Sequence, residues 1–302
     1  MIDETLIPRI RALWRMRQQW HCAEKKLVLQ AKAICRAHTE GDKDAANDLF
    51  DQIANGATDV DANLSIVQAP FLAAIAHFQE LRKPLEKELA KLAGQLPLAE
   101  WIKATPGIAL PGLASIVGEA GDLSNYSTHE KLWKRMGMAP FTKNGVTRSG
   151  KQWKIAGGLS SADWTEFGYK STRRAVMFVI EDSMCKAKGP YREAYLARKE
   201  YLRQRAEGRG LTVAPSAKIP DKRRAEFVSL GHIDQDAKRY MGKRLLRHLW
   251  QAWRRAKMPL IERSTMKLPA AEIMPQGMRE ATVVLSEKTI ELVPPDQSRN
   301  AA

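Results

Sequence analysis

ATPGIALPGLASIVGEAGDLSNYSTHEKLWKRMGMAP, residues 104–140, is the part of the chain around which everything else can be placed. It opens on Thr105-Pro106-Gly107-Ile108, a turn signal in which proline presets φ and glycine allows it to be positive. Pro111-Gly112 then sits in the first turn of a short helix that carries Leu113, Ile116 and Val117 on one face. The pattern predicts helix, glycine turn, helix. In such a unit the backbone N–H groups around Gly107, Ile108 and Gly112 lie at a helix N-terminus, where unsatisfied donors and the macrodipole suit a phosphate oxygen. Helix-hairpin-helix modules grip nucleic-acid backbones in this way, and an ordinary helical corner closed by glycine has the same signature.

Toward the N-terminus, residues 5–38 contain no glycine, and their one proline, Pro8, falls where a first helical turn tolerates it. Ile10, Leu13 and Trp14, then Leu27, Ala31 and Ile34, recur at helical steps opposite a basic side. Gly41-Asp42 ends this helix. A short helix follows, whose Asp44 and Asp48 read as solvated acids, and residues 61–94 resume a long helix through Ile75, Phe78, Leu81, Leu85, Leu89 and Leu92, with Pro84 as an expected kink. Two long amphipathic helices joined by an acidic insert predict a helical hairpin, or a coiled-coil dimerisation arm if the apolar stripes outnumber the faces within one chain.

Toward the C-terminus, residues 141–158, FTKNGVTRSGKQWKIAGG, form a basic glycine-rich loop in which Asn144-Gly145 is a type I′ turn pair and predicts a short β-ribbon. Helical patterns return from Ser161, with residues 175–180 as a buried helix, and again over 187–208 after Gly189-Pro190. Residues 208–220 read as a linker or mobile loop. Between Lys238 and Lys257 stand eight Lys and Arg and no acid, with Leu245, Leu249 and Trp253 on one stripe. One face packs, and the other, carrying Lys243, Arg244 and Arg247, suits phosphate. Residues 261–302 read as a flexible tail. The fold class is therefore mainly α: a helical arm over 1–100, a helical domain over 101–260 with the hairpin module and the basic Gly/Ser loop, and the tail.

The whole-chain balance points the same way. Over 302 residues, 49 Lys plus Arg against 34 Asp plus Glu give a formal charge of +15, which favours a polyanionic partner, nucleic acid first. No apolar run approaches the roughly 20 residues of a membrane span, and no signal peptide is evident, so a soluble cytoplasmic protein, nucleoid-associated when bound to DNA, is expected. Cys22, Cys35 and Cys185 lack zinc or disulfide spacing and are expected as reduced core residues.

The segment from Thr105 to Trp153 resembles the C-terminal domain of the IS-one-ten and IS-one-sixteen type insertion-sequence transposases. Pro106-Gly107-Ile108, Glu119-Ala120-Gly121-Asp122, Gly137-Met138-Ala139-Pro140 and Arg148-Ser149-Gly150-Lys151 stand, in order and spacing, for that family's PGIG turn, acidic-Gly-Asp segment, GLAP element and glycine-serine loop. The likeness continues through the basic segment at Gly168 to Arg174 and fades after about residue 255. It implies DNA transposition with Ser149 as the nucleophile that joins DNA. Arg148, Lys151 and Lys154 would supply transition-state charge, and Arg173 and Arg174 further DNA contacts. It also implies homo-oligomers, Mg²⁺ and a guide RNA. Full-length members carry an N-terminal RNase-H-like domain with four metal-binding carboxylates, whereas residues 1–100 here read as helices, and no residue is assigned to metal. The chain is then a divergent member, a subunit that works with a separate protein carrying that domain, or an inactive remnant. A DNA-binding protein without catalysis is the alternative.

Overall fold

The computed structural model describes residues 4–57 and 59–257. Eleven α-helices, three short 3-10 helices and four three-residue strands make up the regular structure of these described residues, mainly α as the periodicity requires. The expected tail, 261–302, lies outside the described residues.

α1 (Leu6–His38) and α3 (Ala62–Ala93) pack along each other as the predicted hairpin. Charges zip their flanks: Arg9 pairs with Glu88 at 2.6 Å and Arg17 with Glu86 at 2.9 Å, while Arg82 holds the buried Glu24. α3 runs through both Pro70 and Pro84 as one element. α2 (Lys43–Ala54) folds back on the far end of the pair, where Ala31, Cys35, Phe50, Ile53, Leu64 and Ile75 form a small separate core. The acids nearby have structural work. Asp42 accepts the N–H groups of Asp44 and Ala45 at 2.8 and 3.1 Å, and Asp61 that of Asn63 at 2.7 Å, so each caps a helix. Of the cysteines only Cys35 is buried; Cys22 is exposed and Cys185 half-buried, which corrects the expectation of three core thiols.

The near end of the hairpin enters the main core. Ile10 and Trp14 of α1 and Leu89 and Leu92 of α3 pack against α5 (Leu110–Ala120), which is buried throughout from Leu113 to Ala120. A helix with apolar residues on nearly every side belongs at the centre. Its Gly118 is required there: a Cβ would lie 2.4 Å from Trp14 Cγ. α4 (Ala99–Lys103) precedes it across the predicted turn. Gly107 in that turn has φ +86°, and a Cβ on it would come 2.6 Å from the Cα of Met184 in α9 (Ser171–Lys186). The hairpin's glycine thus serves a close helix approach.

Past α6 (His129–Arg135), β1 (Phe141–Lys143) and β2 (Val146–Arg148) pair antiparallel, Phe141 opposite Arg148. Asn144 and Gly145 both have positive φ, 51° and 75°, as a type I′ turn demands. α7 (Gly150–Ala156) and α8 (Ser161–Phe167) follow, joined to the ribbon by aromatic packing: Phe141 stacks on Phe167 at 4.2 Å and on Trp153 at 6.1 Å, and the Trp153 indole N–H donates to the Phe141 carbonyl at 3.1 Å. α10 (Pro190–Glu207) leads into the stretch expected as a linker. There β3 (Thr212–Ala214) pairs in parallel with β4 (Phe227–Ser229). α11 (Leu230–Lys257) starts well before Lys238 and lays Leu245, Leu249 and Trp253 fully buried into the main core.

Candidate nucleic-acid interface

Between the ribbon and α7 on one side and α9, α10 and α11 on the other lies a cleft of about 1090 Å³. α11 contributes His232, Gln235, Asp236, Arg239, Tyr240 and Lys243 to it. These recur at three- and four-residue steps, so they form one stripe of one helix face. α9 adds Ser171, Arg174 and Phe178, α10 adds Arg198, and the loop side adds Arg148, Ser149, Lys151 and Lys154. Among the described residues, seven Lys and Arg side chains thus line the cleft against one carboxylate, Asp236, which stands 3.9 Å from Arg198.

Ser149 is the N-cap of α7. Its Oγ accepts the Gln152 backbone N–H at 3.4 Å and donates to Gln152 Oε1 at 2.9 Å, and its own N–H donates to the same oxygen at 2.8 Å. This capping box fixes the serine at the cleft wall with the first turn of α7 behind it. Gly150 beside it is buried beneath Tyr169, whose ring would lie 2.3 Å from an added Cβ. Tyr169 also touches Gly137, where a Cβ would lie 3.3 Å away, so one aromatic ring holds the loop to the segment before β1. Burial pushes its phenol above the ordinary value. Arg148 lies over the Trp153 ring at 5.0 Å.

The α9 and α11 walls are stiffened by buried charge. Arg174 pairs at 3.0 Å with Glu181, whose side chain is fully buried and packs against Gly242 with no room for a Cβ. Burial pushes the Glu181 carboxyl up to about 7, against the pull of Arg174 first and of Arg239 and Lys238 after it. Lys243 sits over the Trp133 ring at 5.3 Å, and burial, followed by neighbouring Arg239, lowers its ammonium pKa. Arg198 stacks between Tyr201 and Tyr240, 5.0 Å from each centroid.

Of the residues singled out from sequence, the cleft brings together Ser149, Arg148, Lys151, Lys154, Arg174 and Lys243. It does not include the others. Gly107 and buried Ile108 pack under α9, and Gly112 lies against Ile108 and Ile180. Arg173 turns to the opposite side of α9, where it meets Glu119 at 3.4 Å. Arg244 covers the Tyr240 ring at 5.4 Å, and its charge and that of Arg247 bear on His248. Sequence reasoning missed Arg198, His232, Arg239 and Tyr240. Three of them belong to the stripe from 232 to 243, which begins ahead of the basic run that starts at Lys238. Among the described residues no group of three or more His, Cys, Asp or Glu is placed to hold a metal ion. No described helix is long and apolar enough to cross a membrane.

Comparison with protein-family models, with curated proteins and with solved structures gave no match.

Proposed function

We propose that this chain is a DNA-binding protein of the transposase kind, which holds a nucleic-acid backbone in the basic cleft and presents Ser149 to a phosphodiester there. The observation that carries the reading is the cleft itself, with seven cations against one carboxylate and a serine fixed on its wall at a helix N-terminus. Side chains of one sign converging on a concave surface focus the field and attract polyanions. Phosphate contacts of this type set affinity and position without specifying sequence.

In the reaction, Ser149 Oγ forms a bond to phosphorus and a sugar oxygen leaves; the serine loses its proton and the departing alkoxide gains one. The number of phosphoester bonds is conserved, which makes the covalent intermediate reversible. Arg148, Lys151 and Arg174 meet the charge that builds on the phosphoryl oxygens in the transition state. A chain carrying the carboxylate domain of the resembled family, a guide RNA and self-assembly belong to this proposal as partners.

The test is detection on a denaturing gel of a covalent protein–DNA adduct, using the purified chain with DNA flanking its own gene. The reading expects an adduct that Ser149→Ala abolishes. Tight, salt-sensitive DNA binding with no adduct under any partner or metal condition would leave a binding protein without catalysis, and an adduct that survives Ser149→Ala would remove the serine from its role.

A further inference from the structure

The first turn of α9 separates the main cleft from a second hollow of about 430 Å³. Ser171 and Arg174 face the cleft, while Lys170, Thr172 and Arg173 face the hollow. Arg11 and Arg15 of α1 and Arg135 at the end of α6 complete its basic wall. Among the described residues its one lining carboxylate is Glu119. That group is already engaged, accepting the Trp14 indole N–H at 3.0 Å and meeting Arg173 at 3.4 Å. Arg11 Nε is buried and has no hydrogen-bond partner. The guanidinium groups are close enough to act on one another and on a shared neighbour. Arg135 depresses the pKa of Arg173 after burial does, and Arg11, Arg135 and Arg173 all pull on the Tyr126 phenol. Like charges held together by the fold around one spoken-for carboxylate are relieved by an incoming anion.

We propose that this hollow is a second phosphate-binding subsite, which takes the backbone of the opposite strand of a duplex whose first strand lies in the main cleft. The inference rests on the nucleic-acid reading of that cleft and adds the form of the ligand. A helix with its side chains is about 10–12 Å across, on the scale of the roughly 12 Å major groove. Two basic hollows flanking one helical turn are therefore spaced for two strands. In this arrangement each hollow takes one strand, so a single strand seated in the cleft leaves the second hollow empty.

Arg15 and Lys170 are exposed, so both can be truncated without opening the core. The experiment measures affinity and salt slope for a short duplex and for its single strand, with wild type, the double variant Arg15→Ala/Lys170→Ala, its charge-keeping counterpart Arg15→Lys/Lys170→Arg, and the cleft variant Lys151→Ala/Arg239→Ala. Each lost phosphate contact lowers the slope by about 0.9 and costs on the order of tenfold in 0.1 M salt. The expected result is that the double Ala variant loses close to two units of slope on duplex and leaves single-strand binding unchanged, that the charge-keeping variant binds as wild type, and that the cleft variant weakens on both ligands. Unchanged duplex binding by the double Ala variant beside a weakened cleft variant overturns the second subsite and leaves the cleft reading standing. Equal loss on duplex and single strand overturns the assignment of separate strands. A wild type that binds neither ligand removes both readings.

Discussion

Ser149 occupies two roles that chemistry can separate. As N-cap it satisfies the Gln152 N–H, and as a hydroxyl on the cleft wall it is the proposed nucleophile. Asparagine caps about as well as serine, whereas alanine at an N-cap costs about 1 kcal/mol. Ser149→Asn is therefore expected to melt as wild type and Ser149→Ala to lose about 1 kcal/mol by urea titration, with both unable to form an adduct. Adduct formation by the Asn variant would contradict the serine's role. A second residue-scale expectation concerns pH. Glu181, raised to about 7 by burial, keeps its proton in the folded state after the unfolded chain has lost it, so its contribution is full below the ordinary glutamate value and is lost as pH rises toward 7. His248, lowered to about 4 by burial and by Arg244 and Arg247, does the reverse: its contribution is full above the ordinary histidine value and is lost as pH falls toward 4. Each is worth about 3 kcal/mol across its window, and the two oppose. Glu181→Gln is expected to uncover the histidine, giving an unfolding free energy that falls by about 3 kcal/mol from pH 7 to 4.5 relative to the wild-type profile. Parallel profiles for the two proteins would show that Glu181 does not titrate in this way. Neither residue was legible from sequence as a buried charge, since Glu181 sits in an apolar run as any solvated helix acid would.

At the scale of elements, the fold depends on where two backbones come close. Gly118 lets α5 lie against Trp14, with an added Cβ only 2.4 Å from the ring. Gly118→Ala is expected to destabilise by about 1–3 kcal/mol, the usual cost of overpacking, measured as a shift in urea midpoint at unchanged m. A neutral result would mean that α1 can slide away and that the arm is not seated as described. The long helices, the central helix and the Asn144-Gly145 ribbon were readable because each follows from local period or turn chemistry. The parallel pairing of β3 with β4 was not, because it joins two three-residue strands across an intervening segment and leaves no local pattern. The start of α11 was obscured for a related reason: Asp234 and Asp236 interrupt its basic run, and only the structure shows Asp234 taken up by the Tyr195 hydroxyl, Lys199 and Lys238.

For the molecule as a whole, the charge of +15 is unevenly spent. Along the arm, cations are matched by Glu24, Glu86 and Glu88, while around α9 they gather in two hollows with one lining carboxylate each. The sequence alone located half of the cleft, because Arg148 to Lys154 are contiguous. It could not join the other half to it, since Arg174 and Lys243, though singled out, and Arg198 and Arg239, which were not, come from three helices that meet only in the folded chain. Nucleic-acid affinity is accordingly expected to fall steeply with salt and to depend on those dispersed residues as much as on the loop. The most direct measurement is photo-crosslinking of bromodeoxyuridine-substituted DNA to the intact chain, followed by peptide mapping. The account predicts crosslinks in residues 147–155 and 232–243, with Tyr240 the expected aromatic acceptor; crosslinks confined to the α1–α3 arm, or none at low salt, would contradict the cleft as the nucleic-acid site.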